Sequence, residues 1–76
     1  MKKKHIDYDS PVDALVAVTK QLSRYEERYQ MESEQFYDRY TKGQLTDSID
    51  FTEWANAYQH YLELRSYIGH HMTDVA

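Results

Sequence analysis

The groups in this sequence that could serve as acids, bases, nucleophiles or metal ligands are sparse and poorly assembled. Histidines stand at positions 5, 60, 70 and 71, and only His60 falls inside a segment with helical periodicity. A base-assisted nucleophile needs Ser, Thr or Cys beside a His that a third residue orients. The chain has no cysteine, and no such constellation surrounds His60, so an ordinary helix-surface histidine is expected and no catalytic residue is assigned. His60 and Glu63 share one helix face at i, i+3, and His70, His71 and Asp74 follow. No matching Glu-x-x-His pair exists for a facing helix, so the expectation is no metal site and no cofactor. The carboxylate pairs Glu26-Glu27 and Glu32/Glu34 lack apolar surroundings that would raise a pKa for acid chemistry, and read as solvated faces.

Binding is the other class of chemistry. Residues 30–64 carry seven acidic and two basic side chains, and residues 1–29 carry six basic and five acidic, within a net charge of -4. The aromatics lie mainly in the acidic part, where phosphate would be repelled; Lys2, Lys3 and Lys4 alone offer only weak, non-specific contact, so nucleic acid is not the expected ligand. Gly43 and Gly69 are isolated and form no phosphate-cradling loop. What remains is an aromatic cluster, Phe36, Tyr37, Tyr40, Phe51, Trp54, Tyr58 and Tyr61, interleaved with acids. The periodicity of Phe36, Phe51, Trp54 and Tyr58 assigns those four to the core. Seven tyrosines in the helical part exceed what so small a core needs. Tyr37, Tyr40, Tyr61 and Tyr67 are therefore the candidate exposed contacts, with Glu32, Glu34, Asp38 and Glu53 as the surrounding charges, since aromatic anchors ringed by polar groups characterise interface hot spots.

Three helices must position these groups. Residues 1–9 mix Lys with Asp7 and Asp9, show no apolar period, and read as a flexible N-terminal arm. Ser10-Pro11-Val12-Asp13 is a helix start: an N-cap hydroxyl, a proline at the first position and an acid at the third. Leu15, Val18, Leu22, Tyr25 and Tyr29 then form a seam at alternating spacings of three and four, widened at its start by Val12, Ala14 and Val16. Continuing that seam would bury Glu32 and Arg39, so the phase breaks near residue 31 and two helices are expected, with one kinked helix over 11–42 as the alternative. Ser33 is the expected N-cap of a short helix carrying Phe36, Tyr37 and Tyr40 on one side, with Gly43 as its left-handed stop. After a polar connection over 43–50, Asp50 with Glu53 reads as a capping box and Ile49 with Trp54 as a hydrophobic staple. The stripe Phe51, Trp54, Ala55, Tyr58, Tyr61, Leu62 and Ile68 runs to Gly69, the expected stop, leaving 70–76 as a C-terminal tail.

The expected architecture is all-α: a single domain over residues 10–69, built as a hairpin of two longer antiparallel helices with a short helix connecting them. At 76 residues, with Leu, Ile, Val and Phe making up only 14 of them, such a core is marginal. Self-association as a homodimer or a protein partner would supply the missing burial. No apolar run reaches the roughly 18 residues of a membrane span, and Met-Lys-Lys-Lys is followed by His5, Ile6 and Asp7, not by an apolar segment, so a cytoplasmic protein is expected.

Three stretches carry a resemblance: Tyr29-Gln30-Met31-Glu32-Ser33-Glu34-Gln35-Phe36, Tyr40-Thr41-Lys42-Gly43-Gln44-Leu45, and Asp50-Phe51-Thr52-Glu53-Trp54-Ala55 with Tyr58 through Leu62. Together they resemble short all-helical bacterial proteins, common in cyanobacteria, that are often encoded beside small toxin genes and taken as antitoxin-like partners. In that pattern a glycine is frequent where Gln30 stands here. The resemblance covers residues 25–65 and carries over no catalytic residue. It implies a small antitoxin-like protein that works by covering another; the acidic, tyrosine-rich face adds the expectation that a partner toxin is neutralised by direct binding and occlusion at a basic site, such as that of a ribonuclease-type toxin.

Overall fold

The computed structural model describes residues 10–75, with side chains through His70; the expected N-terminal arm over 1–9 lies outside the described residues. Three helices follow one another: α1 (Pro11–Tyr29), α2 (Ser33–Thr41) and α3 (Ile49–Val75). The all-α fold of two long helices and one short one is thus the observed one.

Helix α1 begins as its sequence dictates. Ser10 is extended and its hydroxyl accepts the Asp13 amide at 3.2 Å, with Pro11 just inside the helix. The seam of Leu15, Val18, Leu22, Tyr25 and Tyr29 faces the core. Val12 and Val16, expected to widen it, instead stand about half exposed, because among the described residues only α3 packs against that end of α1. The break after α1 is sharp. Gln30 takes the left-handed conformation at φ 54, and the Gln30 and Met31 amides return to the Glu26 carbonyl. A side chain there is normally disfavoured; the Gln30 side-chain Nε2 donates to the Glu27 carbonyl at 2.7 Å and ties the corner down.

Helix α2 ends at Gly43, φ 71, whose amide bonds the Tyr40 carbonyl while that of Gln44 reaches Arg39. Its start departs from expectation. Glu32 occupies the capping position without a side-chain bond, and Ser33 lies inside the helix, buried. The Ser33 hydroxyl accepts the Trp54 indole N–H at 2.9 Å, and its amide donates to Glu26 of α1 at 2.9 Å. A buried indole N–H must find an acceptor, and that demand outweighs a local cap.

Helix α3 begins two residues earlier than its capping box would place it, with Ser48 and not Asp50 as the cap. The Ser48 hydroxyl accepts the Phe51 amide at 3.0 Å. Ile49 is 78% exposed and forms no staple. The two acids of the expected box are engaged across the hairpin: Asp50 accepts from the Tyr29 hydroxyl and Arg28, and Glu53 from the Tyr25 hydroxyl. These contacts pair falling residue numbers on α1 with rising ones on α3, which makes the hairpin antiparallel.

Gly69 does not stop α3, which continues to Val75. Glycine permits a left-handed stop without requiring it, and here it sits within the helix, where a Cβ would meet no atom within 4 Å. Gly69→Ala is therefore expected to stabilise the protein by up to ~1 kcal/mol, raising its melting temperature. A fall would mean that Gly69 adopts the left-handed stop.

The core is an aromatic stack. Phe36 and Trp54 are fully buried and lie face to face, ring centroids 3.9 Å apart at 2°. Tyr25 and Tyr29 of α1 stack on Trp54 at 5.6 and 5.7 Å, and Phe51 and Tyr40 each close on Phe36 at 5.4 Å. Val18, Leu22, Ala55 and Ala57 complete it, the alanines allowing close approach of the neighbouring helices.

The Asp50 carboxyl is held below the ordinary carboxylate range, first by the Tyr29 hydroxyl and then by Arg28. A carboxyl whose pKa falls on folding contributes stability above its unfolded value of about 4 and loses it as pH drops through the folded value. Asp50→Asn should accordingly lower the melting temperature at neutral pH and flatten its decline below about pH 4. Parallel acid melting curves for the two proteins would contradict this.

Candidate protein-interaction surface

The short helix α2 sets the surface. Its inner side carries Ser33, Phe36, Tyr37 and Tyr40; its outer side carries Glu34 and Asp38, four residues apart and both exposed. Glu32 is exposed just before it. Asp38 pairs with Lys42 at 3.1 Å, an exposed i, i+4 contact worth only a few tenths of a kcal/mol, ~0.3. Tyr37 is half-buried, packs on Tyr58 at 5.1 Å and accepts a bond from Gln59 at 2.9 Å. Tyr40 is half-buried against Phe36, and Tyr61 against Tyr58 at 5.8 Å. These three rings, expected as exposed contacts, are thus more covered than the tyrosine surplus suggested, because edges and faces of neighbouring rings shelter them in place of aliphatic side chains. Tyr67 is the most exposed of the four, about half exposed at 48%.

The structure does not bring all eight candidate residues to one place. Glu32, Glu34 and Tyr61 line one groove. Tyr37, Asp38 and Tyr40 lie along α2 beyond it. Glu53 is engaged with Tyr25 at 3.1 Å and does not line the groove, nor does Tyr67.

The groove has a volume of about 300 Å³ and opens where α2 meets the hairpin. Thr19, Ser23 and Glu26 of α1 form one wall, Tyr58, Tyr61 and Arg65 of α3 the other, and the first turn of α2 closes one end. Burial pushes the Tyr58 hydroxyl pKa up, with the Glu34 charge adding to it. The Arg65 guanidinium lies over the Tyr61 ring, 5.8 Å from its centroid, and contact with the Tyr61 hydroxyl favours its charged form. Sequence reasoning missed Glu26, Ser33, Tyr58 and Arg65 as parts of this site. A signal was present on α3, where Tyr58, Tyr61 and Arg65 share one stripe at spacings of three and four. None marked the half-buried Glu26, expected on a solvated face, whose carboxylate accepts the Ser33 amide at the start of α2.

Among the described residues no group of three His, Cys, Asp or Glu side chains is placed to hold a metal. His60, Glu63 and His70 are each exposed; the His71 and Asp74 side chains lie outside those described. No helix among the described residues is long and apolar enough to cross a membrane. Comparison with protein-family models, with curated proteins and with solved structures finds no match to this chain.

Proposed function

We propose that this chain is a small, non-catalytic protein-binding module of the cytoplasm, acting as the antitoxin-like member of a toxin–antitoxin pair. The observation that carries this reading is the surface around α2, where the exposed carboxylates Glu32, Glu34 and Asp38 surmount half-buried tyrosine rings. Such a face suits a basic partner: the carboxylates steer the encounter, and the rings beneath supply contact area. Docked over the active site of a basic ribonuclease-type toxin, it would exclude RNA and cancel the field that attracts it. The test is genetic. The adjacent open reading frame should arrest growth when expressed alone and should be tolerated when co-expressed with this chain. An adjacent gene without toxicity, or toxicity unrelieved by this chain, overturns the assignment.

A second reading, a homodimeric structural or regulatory protein, is favoured by Val12 and Val16, one turn apart on α1 and both about half exposed. Light scattering separates the two: a tight dimer that hides these valines supports the homodimer, and a monomer removes it.

A further inference from the structure

The nine residues of α2 reach about 13 Å, while α3, at 27 residues, runs about 40 Å. The third layer of the domain therefore covers only part of the hairpin, and the groove lies where that cover stops. Its volume of about 300 Å³ is at the lower limit of ligand pockets, which suits one long side chain. Its charge is lopsided, with Glu26, Glu32 and Glu34 set against Arg65. Its α3 wall is aromatic, Tyr58 and Tyr61 stacking at 5.8 Å and 23°.

Independently of the carboxylates, the chain displays a group that this aromatic wall accepts, because the Arg65 guanidinium already rests over Tyr61. That contact joins the exposed Arg65 to a half-buried ring four residues before it on the same helix, and pairs of this kind at a surface are weak. It is thus readily exchanged for an equivalent group from outside.

We propose that the groove receives an arginine side chain from the partner protein, which enters between the Tyr58–Tyr61 wall and the Glu32 and Glu34 carboxylates and displaces Arg65. Arginine fits better than lysine, since its flat guanidinium stacks on rings, is weakly hydrated and meets carboxylates in a two-pronged geometry. Residues 30–64, with seven acids against two bases, provide the complementary field. This rests on the protein-binding reading above and names the contact through which it would operate.

The probe is N-acetyl-arginine-N-methylamide, titrated into the full chain while the amide signals of Ser33, Glu34, Tyr58 and Tyr61 are followed by nuclear magnetic resonance. Saturable shifts at these positions are expected, and the norleucine counterpart should cause none. Glu34→Gln should weaken binding about threefold, and Arg65→Gln should tighten it about threefold by removing the internal competitor. Lys42→Gln makes the same charge change at the far end of α2 and should have little effect. Free L-arginine adds an ammonium and a carboxylate that offset one another beside the acidic rim, so it should bind no better than the capped form. Absence of shifts in both the wild type and Arg65→Gln overturns the proposal, as does equal tightening by Lys42→Gln. Tighter binding of free arginine also overturns it, by making the groove a small-molecule site. All these readings use the isolated chain, so a silent groove alongside intact toxin neutralisation would refute this contact alone.

Discussion

Replacing Trp54 with alanine is expected to unfold the domain. The indole is fully buried, lies face to face with Phe36, and is flanked by Tyr25 and Tyr29. A buried aromatic cut to alanine costs ~3–5 kcal/mol, from lost burial and from the cavity left behind. Domains of this size are stable by roughly 0.05–0.15 kcal/mol per residue, which gives about 4–11 kcal/mol for the whole chain. The loss is therefore comparable with the total. Because one ring joins all three helices through its neighbours, loss of α2 packing and loss of the hairpin should occur in a single transition. Circular dichroism of Trp54→Ala should show most helical signal gone at 25 °C or a melting temperature lowered by tens of degrees. A variant that melts within a few degrees of the wild type would show that the aromatic stack is not the core.

Two milder changes separate the ring from its hydrogen bond. Ser33→Ala removes the acceptor of the Trp54 indole N–H while keeping the stack. It should cost ~1–3 kcal/mol, the penalty of a buried donor left unpaired. Trp54→Phe removes the donor and part of the ring together. It leaves Ser33 with a hydroxyl that can still turn to another acceptor, so its cost should come mainly from lost area.

The sequence was legible where a local rule had no tertiary competitor. Ser10 and Pro11 start α1 as their chemistry dictates, the Leu15-to-Tyr29 seam faces the core, and Gly43 ends α2. It was illegible where a polar residue had two possible uses. Ser33 could cap α2 or accept from Trp54, and Asp50 could cap α3 or accept from Tyr29. In both cases the cross-helix partner prevailed, because pairing a polar group between packed elements matters more than a cap that water or another residue can replace. Gln30 illustrates the reverse case, a residue with poor left-handed preference forced into that conformation by the packing of α1 against α2 and α3. The tyrosine surplus was real but misplaced: rings cover rings, and Tyr37, Tyr40 and Tyr61 are more sheltered than Tyr67. The groove escaped notice because its walls come from three helices. Spacing within one helix shows Tyr58, Tyr61 and Arg65 together, yet cannot show that Glu26 and Glu34 arrive beside them.

The largest expected effect on association comes from reversing Glu32, Glu34 and Asp38 to lysine together. All three are exposed, so the fold should tolerate them. Positive charge at the first turn of α2 opposes the helix dipole by ~0.3–1 kcal/mol, and loss of the Asp38–Lys42 pair adds a few tenths, ~0.3. Circular dichroism should show the helices retained. The net charge of -4 becomes positive, so a basic partner that was attracted is now repelled. Steering of this kind changes on-rates by 10–10³-fold at low salt, and the expected fall is about 10- to 100-fold. Exposed rim charges act chiefly on encounter, so dissociation should change much less. Salt screens exposed charges beyond about 10 Å at 0.1 M. Added salt should therefore slow association of the wild type, and have little or the opposite effect on the triple variant. Measured against the toxic product of the adjacent gene, identical on-rates and identical salt slopes for the two proteins would remove electrostatic steering from the mechanism. They would leave the tyrosine rings as the whole of the contact.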